Sequence, residues 1–495
     1  MNITKELLAK ENLIFFLLLF FALFLNSFHY DEALIYQRVE NLKEFNRFSD
    51  DSNHEITFGL FFYSIYSKFS LTENIFQSYF LFRLFSFLSI ILIFITGKKI
   101  IVNHFNFSKI QLLVFFFLIF FWFAFFSGGL TSRHDAILSF CLLFCFYSYL
   151  EYFKNKKKYY IYISLFISSA FISLHPFFLL PFILTLIIFF IEFIKIKNLK
   201  YKILLLSYVL FILSISFQLL IFKVLSIENI LLFFDQTFNY ISISNELSYG
   251  SHSSFEGLII NIKKELFELR RLDHLHNFNK LNYYILVFSL FFFINIFFNL
   301  KKNINNQLLF LFVISIIIFL TIMPNKWAHH LSIIVPFLFI NLICVIFKLF
   351  ENQFFFNSKK NYLILTILLT TLSFINLFFD LKNNQFFYNF LKLNKFEIAN
   401  HKIFNRLESE QLKIEEINIK YKDLIFYSNP EHKYIFSNLK YAGHQLNVAI
   451  KKNLNLIFLE KKYNKKCSIN NVKVKLKYID EFKFENKSWF VCRVI

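Results

Sequence analysis

Residues Tyr159 to Ile191 read YYIYISLFISSAFISLHPFFLLPFILTLIIFFI and contain no Asp, Glu, Lys or Arg. The stretch is too long for one ordinary membrane-spanning helix and short for two. Its flanks decide between them. Lys154, Lys156, Lys157 and Lys158 precede it, and Lys195, Lys197, Lys200 and Lys202 follow it. Lysine-rich loops gather on the cytoplasmic side of a membrane, so both flanks belong on one side and the crossings between them must be even in number. His175, Pro176 and Pro181 supply the break, since proline interrupts a continuing helix. The stretch is therefore two spans joined by a hairpin.

The same reading extends along the chain. Apolar segments fall at about 12–28, 74–96, 110–127, 134–153, 159–174, 176–193, 203–222, 281–299, 307–323, 329–349 and 361–379. The loops between them are of two alternating kinds. One kind carries lysines, as at Lys98 and Lys99, Lys301 and Lys302, and Lys359 and Lys360; the other, at 29–73, 128–135, 223–280 and 324–330, carries acids, histidines and short polar motifs. The expectation is an α-helical polytopic membrane protein with about eleven transmembrane helices. Its N-terminus lies inside and its polar-motif loops and C-terminus outside, as in a multi-pass protein of a bacterial inner membrane. The first apolar run has no small-residue cleavage site after it and reads as an uncleaved helix.

Composition agrees. Of 495 residues 57% are hydrophobic, 79 are Phe, and Gly and Pro number only 7 and 5. One soluble domain, a disordered chain and a transmembrane β-barrel are excluded, the last because its strands would alternate. The abundant Phe, beside much Ile, Asn and Lys, suggests an AT-rich genome; most Phe are expected to replace Leu on lipid-facing surfaces and to carry no function. The net charge of +20, from 53 Lys and Arg against 33 Asp and Glu, sorts by loop and so does not indicate nucleic acid.

Residues 1–379 form the membrane domain. Residues 380–495 differ, with 22 Lys or Arg and 12 Asp or Glu. Alternating runs at Val472–Leu476 and Trp489–Val494 read as strands and 386–420 as helix, predicting a small extracytoplasmic α/β domain. Cys467 and Cys492 lie there and could form a disulfide in an oxidising periplasm, or remain as two thiols. Cys141, Cys145 and Cys344 lie in apolar runs and read as packing residues.

The chemistry concentrates in the outward loops. His29-Tyr30-Asp31-Glu32 follows the first helix directly, where a rigid helix end fixes the acids; Asp50, Asp51, His54 and Glu55 share that loop. A carboxylate held at the membrane surface can take a proton from an attacking hydroxyl. Ser127-Gly-Gly-Leu-Thr-Ser-Arg133-His134-Asp135 offers Arg133, whose planar fork suits phosphate, although pairing with Asp135 would serve only as a cap. His175-Pro176 sits at the hairpin. Pro324-Asn-Lys326-Trp327-Ala-His329-His330 sets one Lys, one Trp and two His between apolar helices, which membrane proteins rarely do without use. Arg83, inside the second helix, is expected to pair with an acidic or carbonyl group in the bundle. Carboxylates, cationic phosphate donors and a membrane groove suit a substrate with a lipid tail, a phosphate and a sugar.

These motifs resemble the C-type, polytopic glycosyltransferases that use polyprenyl-phosphate sugars. Lys326-Trp327-Ala328-His329-His330 is similar to the Lys-Trp-x-His-His motif of the mycobacterial cell-wall arabinosyltransferases, and His175-Pro176 and Asp235-Gln236-Thr237 look similar to further stretches of that group. The Asp-Glu pair is closer to protein mannosyltransferases and aminoarabinose transferases. The resemblance implies catalysis by Asp31 with Glu32 beside it. It implies donor-phosphate binding by Arg133, Lys326, His329 and His330; His54, Glu55, His175, Trp327 and Asp235 stand as further substrate contacts. It implies transfer, with inversion, from a polyprenyl-phosphate sugar to an envelope glycan, lipid or protein. Arabinofuranose is the leading sugar, with a mannose or aminoarabinose type as alternative. The acids and His54 of the first loop could ligate a divalent cation, but nothing in their spacing demands one. A transporter or flippase of lipid-linked sugars would show internal repeats and polar groups at depth; no convincing repeat is read, and only Arg83 lies deep. A non-catalytic scaffold of an envelope complex is the third class.

Overall fold

The structure is a computed structural model. It describes residues 10–25, 30–45, 75–195 with short breaks, 304–322, 332–349 and 359–495 with short breaks, together with a few isolated positions. The helices of the membrane part are α1 (Lys10–Leu25), α2 (Tyr30–Phe45), α3 (Ile75–His104), α4 (Lys109–Phe121), α5 (Asp135–Asn155), α6 (Tyr159–Ala170), α7 (Leu179–Lys195), α8 (Ile304–Ile322), α9 (Val335–Leu349) and α10 (Lys359–Asn383). Stretches within α3, α5 and α10 are long and apolar enough to cross a membrane, at Leu81–His104, Asp135–Asn155 and Lys360–Asn383. The expected spans at 203–222 and 281–299 lie almost wholly outside the described residues.

The Tyr159–Ile191 stretch is broken where expected. Helix α6 ends at Ala170, short 3-10 turns cover Phe171–Ser173 and Pro176–Phe178, and α7 begins at Leu179. Pro181 does not make the break. It lies in the first turn of α7, where its missing N–H costs no helical hydrogen bond, and its carbonyl accepts from the Thr185 hydroxyl at 2.7 Å.

Two expectations are corrected. Residues 30–45 of the first outward loop are not loop but helix, because Ala33, Leu34, Tyr36, Val39 and Leu42 form a buried face while Lys43 and Glu44 stay exposed. Nor, among the described residues, are the Phe side chains of the bundle mainly exposed. Among the described residues many fill the bundle core: Phe94 stacks between Phe15 and Phe116 at ring separations of 3.9 and 3.5 Å, and Phe312 stacks on Phe337 at 6.0 Å. A ring fills a wide interhelical slot and gains offset stacking that Leu cannot supply. Helix α10 shows the other face, with Leu363, Ile367, Leu368, Phe374, Phe378 and Phe379 all exposed, as lipid contact requires.

Beyond α10 the chain forms α11 (Gln385–Leu393), α12 (Asn405–Lys420), β1 (Ile425–Tyr427), α13 (His432–Ile435), β2 (Lys440–Tyr441), α14 (Leu446–Ile450), β3 (Leu456–Glu460), β4 (Leu476–Phe484) and β5 (Lys487–Val494). The strands make one mixed sheet in the order β2-β1-β3-β5-β4. Strand β1 is parallel to β2 and β3, and β5 is antiparallel to β3 and β4. Helix α12 packs Ile414 and Ile417 with Phe426, Phe458, Phe482 and Val491 of the sheet. The expected strand at Trp489–Val494 lies within β5. Of the one expected at Val472–Leu476, only Leu476 enters β4, and Val472 lies outside the described residues. Cys467 and Cys492 are disulfide-bonded, with Cα atoms 5.7 Å apart. Cys141 and Cys145 are buried free thiols of α5.

Candidate functional site

Arg83 is fully buried on α3. Its Nε donates to Glu32 Oε1 at 2.9 Å and its second terminal nitrogen to Glu32 Oε2 at 2.8 Å. Its remaining nitrogen donates to the Leu23 carbonyl at 2.8 Å. The expected pairing of Arg83 with an acid or a carbonyl is thus met by both, in the two-pronged geometry that makes Arg–carboxylate pairs strong. Leu23 lies in the last turn of α1, where carbonyls lack intrahelical partners. Glu32 lies in the first turn of α2, where the helix dipole favours a carboxylate. One side chain therefore ties the end of one helix to the start of the next.

This clamp bears on both expected catalytic acids. Asp31 is a residue of the first turn of α2, directly before Glu32, so its backbone is set by the clamped helix end. Glu32 is itself buried, with each carboxylate oxygen engaged by Arg83. Glu32, expected beside Asp31 in the catalytic pair, is thus joined to α3 through both of its oxygens.

The described flanks of further loops expected to face outward, at 128–135 and 324–330 and at the His175 hairpin, meet one another. A π-helical turn at Trp122–Phe126 packs beside α1 and leads into the Ser127-Gly128-Gly129 segment; such turns recur at functional sites. The Trp122 indole donates to Ser332 Oγ at 3.2 Å, bringing that turn to the residues just after the Lys326–His330 motif. The His134 ring meets the edge of Phe177 at 6.1 Å, joining the start of α5 to the 176–178 turn. Neither the π turn nor the Trp122–Ser332 contact was signalled by a motif.

At the other end of α3, His104 pairs with Glu151 at 3.0 Å, Asn155 donates to Glu151 at 2.6 Å, and the Lys154 ammonium donates to the Asn103 carbonyl at 3.1 Å. Asn305 reaches the His104 carbonyl at 3.1 Å. From Arg83 to His104 the axial rise is about 30 Å at 1.5 Å per residue, roughly a hydrocarbon core. The described contacts next to the two kinds of loop thus lie toward opposite ends of α3.

Helix α2 also meets the sheet unit. Glu40 accepts from the Lys433 ammonium at 3.3 Å and from the Tyr434 hydroxyl at 3.1 Å, and Tyr36 meets the Tyr434 ring edge-on at 5.3 Å. Of the remaining expected site residues, His54, Glu55, Arg133, His175, Asp235, Lys326, Trp327, His329 and His330 lie outside the described residues. So do Asp50 and Asp51 of the expected metal ligands; among the described residues no three His, Cys, Asp or Glu side chains come together as a metal site.

The chain shares its fold with solved structures over nearly its whole length. It is similar to the crystal structure of ArnT from Cupriavidus metallidurans bound to undecaprenyl phosphate, with a TM-score of 0.52 at 11% identity over 97% of each chain. It is similar also to the same protein in the apo state, with a TM-score of 0.50 at 10% identity over 99% of this chain and 98% of that one. No known family and no curated protein matches the sequence. The resemblance to C-type polytopic glycosyltransferases is borne out at the level of the fold.

Proposed function

We propose that the chain is an integral-membrane glycosyltransferase that moves a sugar from a polyprenyl phosphate to an acceptor of the cell envelope. The observation that carries this reading is the end-to-end fold likeness to ArnT bound to undecaprenyl phosphate, joined to a buried clamp that fixes the helix end bearing Asp31. In this reading Asp31 accepts the proton of the acceptor hydroxyl as its oxygen attacks the anomeric carbon. The bond from that carbon to the phosphate oxygen breaks, and polyprenyl phosphate leaves with the electron pair. Attack from the opposite face inverts the anomeric centre. Arg133, Lys326, His329 and His330 hold the departing phosphate, and His54, Glu55, His175, Trp327 and Asp235 line the sugar or acceptor. Glu32, through its pair with Arg83, positions the helix end that carries Asp31.

The wider topology belongs to the same proposal: about eleven spans, the N-terminus cytoplasmic, and the α/β unit of 380–495 outside an inner membrane, next to the catalytic end. The ArnT likeness and the Asp-Glu pair together weigh for the aminoarabinose-type alternative over the arabinofuranose expectation. The test is transfer by Asp31→Asn protein of unchanged membrane insertion. Loss of transfer is expected, and full activity would overturn the assignment of the base. The sugar is read from the envelope glycans of a strain lacking the protein, since the residue that disappears names the donor.

A further inference from the structure

The sheet unit holds a cavity of about 240 Å³ between α12 and the β4–β5 hairpin. Its helix wall is Arg406, Ser409, Glu410 and Lys413, spaced as one helical face. Its strand wall includes Lys461, Glu481 and Lys483, over an apolar floor at Phe482. Four cations thus face two carboxylates. Lys413 is tied to Glu416 at 2.9 Å and to Asp480 at 3.1 Å, and Lys461 to Glu481, yet an ammonium has three donors and a guanidinium five, so each cationic head keeps capacity for a ligand.

Glu410 is the unusual member. It is only 8% exposed; Arg406 approaches one of its oxygens at 3.5 Å, and the other, Oε2, has no hydrogen-bond partner. A buried carboxylate oxygen without a donor is costly, and such groups in native proteins call for an explanation. Burial also raises its pKa, against the lowering effect of Arg406 and Lys483. Glu410 lines the cavity, and the terminal torsion of Glu is broad, so its carboxylate can turn to meet a ligand there. A hydroxyl donor entering there would satisfy it. The cations want an anion beside that hydroxyl. The volume lies below the roughly 300–1,000 Å³ of pockets for drug-sized ligands, which suits one ring, free or as a single residue of a longer glycan.

We propose that this cavity is a binding site for one anionic sugar unit, its hydroxyls on Glu410 and its phosphate or carboxylate on Lys483, Lys461, Lys413 and Arg406. The site stands on the sheet unit alone and does not depend on the catalytic reading above. The same chemistry is found in a free sugar phosphate and in a charged residue of an envelope glycan.

The test is calorimetric titration of the full-length protein in neutral detergent with glucose 6-phosphate, glucose and inorganic phosphate in turn, and with a short polygalacturonate as the glycan form. Glucose 6-phosphate is expected to bind at least tenfold more tightly than glucose or phosphate. Lys483→Ala, at an exposed side chain, is expected to weaken it at least tenfold and to steepen no other transition. Glu410→Gln is expected to erase the preference for sugar phosphate over phosphate. Tighter binding of polygalacturonate than of glucose 6-phosphate assigns the site to glycan, and the reverse assigns it to the free metabolite form. Absence of heat with every probe overturns the proposal, as does equal binding of phosphate and glucose 6-phosphate, or an unchanged affinity in Lys483→Ala. Should Glu410→Gln fail to fold, the Lys483→Ala result still decides.

Discussion

At Arg83 a full positive charge sits among apolar helices, and what holds it there is the pair of hydrogen bonds to Glu32 and the one to Leu23. Removing one partner of such a pair leaves the other charge buried and alone, which costs about 3–5 kcal/mol, whereas replacing both by apolar groups of like size is often neutral. Glu32→Gln is therefore expected to lower the thermal midpoint in detergent sharply, and Glu32→Leu with Arg83→Met to recover most of the loss. If the double variant is stable yet inactive while Asp31 is intact, the clamp positions the catalytic helix end; if it is active, the clamp serves stability alone. A second buried residue sets a pH dependence. His432 is enclosed by Phe436, Phe458, Phe482, Phe484 and Trp489, with ring centroids 4.4 Å from Trp489, and Ser428 meets its Nδ1. Burial, helped by Lys487, holds its pKa well below the usual 6.5. The folded chain thus keeps His432 neutral while the unfolded chain takes up a proton below pH 6.5. Stability is whole above that pH and falls below it, by about 1.4 kcal/mol per pH unit, until the folded-state value is reached. Unfolding followed by tryptophan fluorescence at pH 7.5 and 5.5 should show this loss, and His432→Phe should flatten it.

Among the elements, Gly97 shows how closely two helices of the bundle approach. It lies on α3, and a Cβ there would stand 2.6 Å from a ring carbon of Phe115 on α4, itself wholly buried. Gly→Ala within a helix normally gains about 1 kcal/mol, while overpacking a filled core costs roughly 1–3 kcal/mol. The clash is expected to win, so Gly97→Ala should lower the thermal midpoint and Gly97→Ala with Phe115→Leu should restore it. A stabilised single variant would mean that α3 and α4 do not meet there. Lys98 and Lys99 predict an end to this span near residue 96; the helix instead runs on to His104, since Lys side chains need only their ammonium in water and their stems tolerate apolar surroundings. Apolar length and lysine placement made the spans legible. The amphipathic α2 was not, because its acids drew attention as chemistry while its Ala33–Leu42 face is short. The π turn at Trp122–Phe126 could not be read at all: its five residues are as apolar as the helix before them, and only the packing beside α1 and Ser332 distinguishes it. At the site, the sequence marks Asp31, Glu32 and Arg83 one by one, but the pairing of Arg83 with Glu32 depends on contacts between residues 51 positions apart.

Over the whole molecule, the disulfide and the charge pattern make one joint statement about compartment. In the proposed topology the lysine loops lie inside and the polar motifs of 1–379 outside, and α2 joins the sheet unit through Glu40, Lys433 and Tyr434. The Glu40–Lys433 pair is about a third exposed at both side chains and by itself contributes little; the Tyr36–Tyr434 ring contact and the Tyr434 hydroxyl on Glu40 add to it. A unit held outside the cytoplasm meets an oxidising environment, and there the Cys467–Cys492 bond persists; in the cytoplasm it would be reduced. The bond spans 25 residues, for which loop-closure entropy gives about 3 kcal/mol. Intact cells treated with a membrane-impermeant maleimide are therefore expected to show no labelling of the sheet unit. Labelling at Cys467 and Cys492 should appear only after an impermeant reductant is added first, while Cys141 and Cys145, buried in α5, stay unlabelled throughout. Cys467→Ala with Cys492→Ala should leave the spans inserted and lower the unfolding midpoint of the sheet unit. Labelling without reductant would remove the bond, and labelling only after the membrane is permeabilised would place the sheet unit inside. The second outcome would reverse the whole topology, because the same inversion would carry Asp31 and the polar loops to the cytoplasmic face and leave the lysine loops outside.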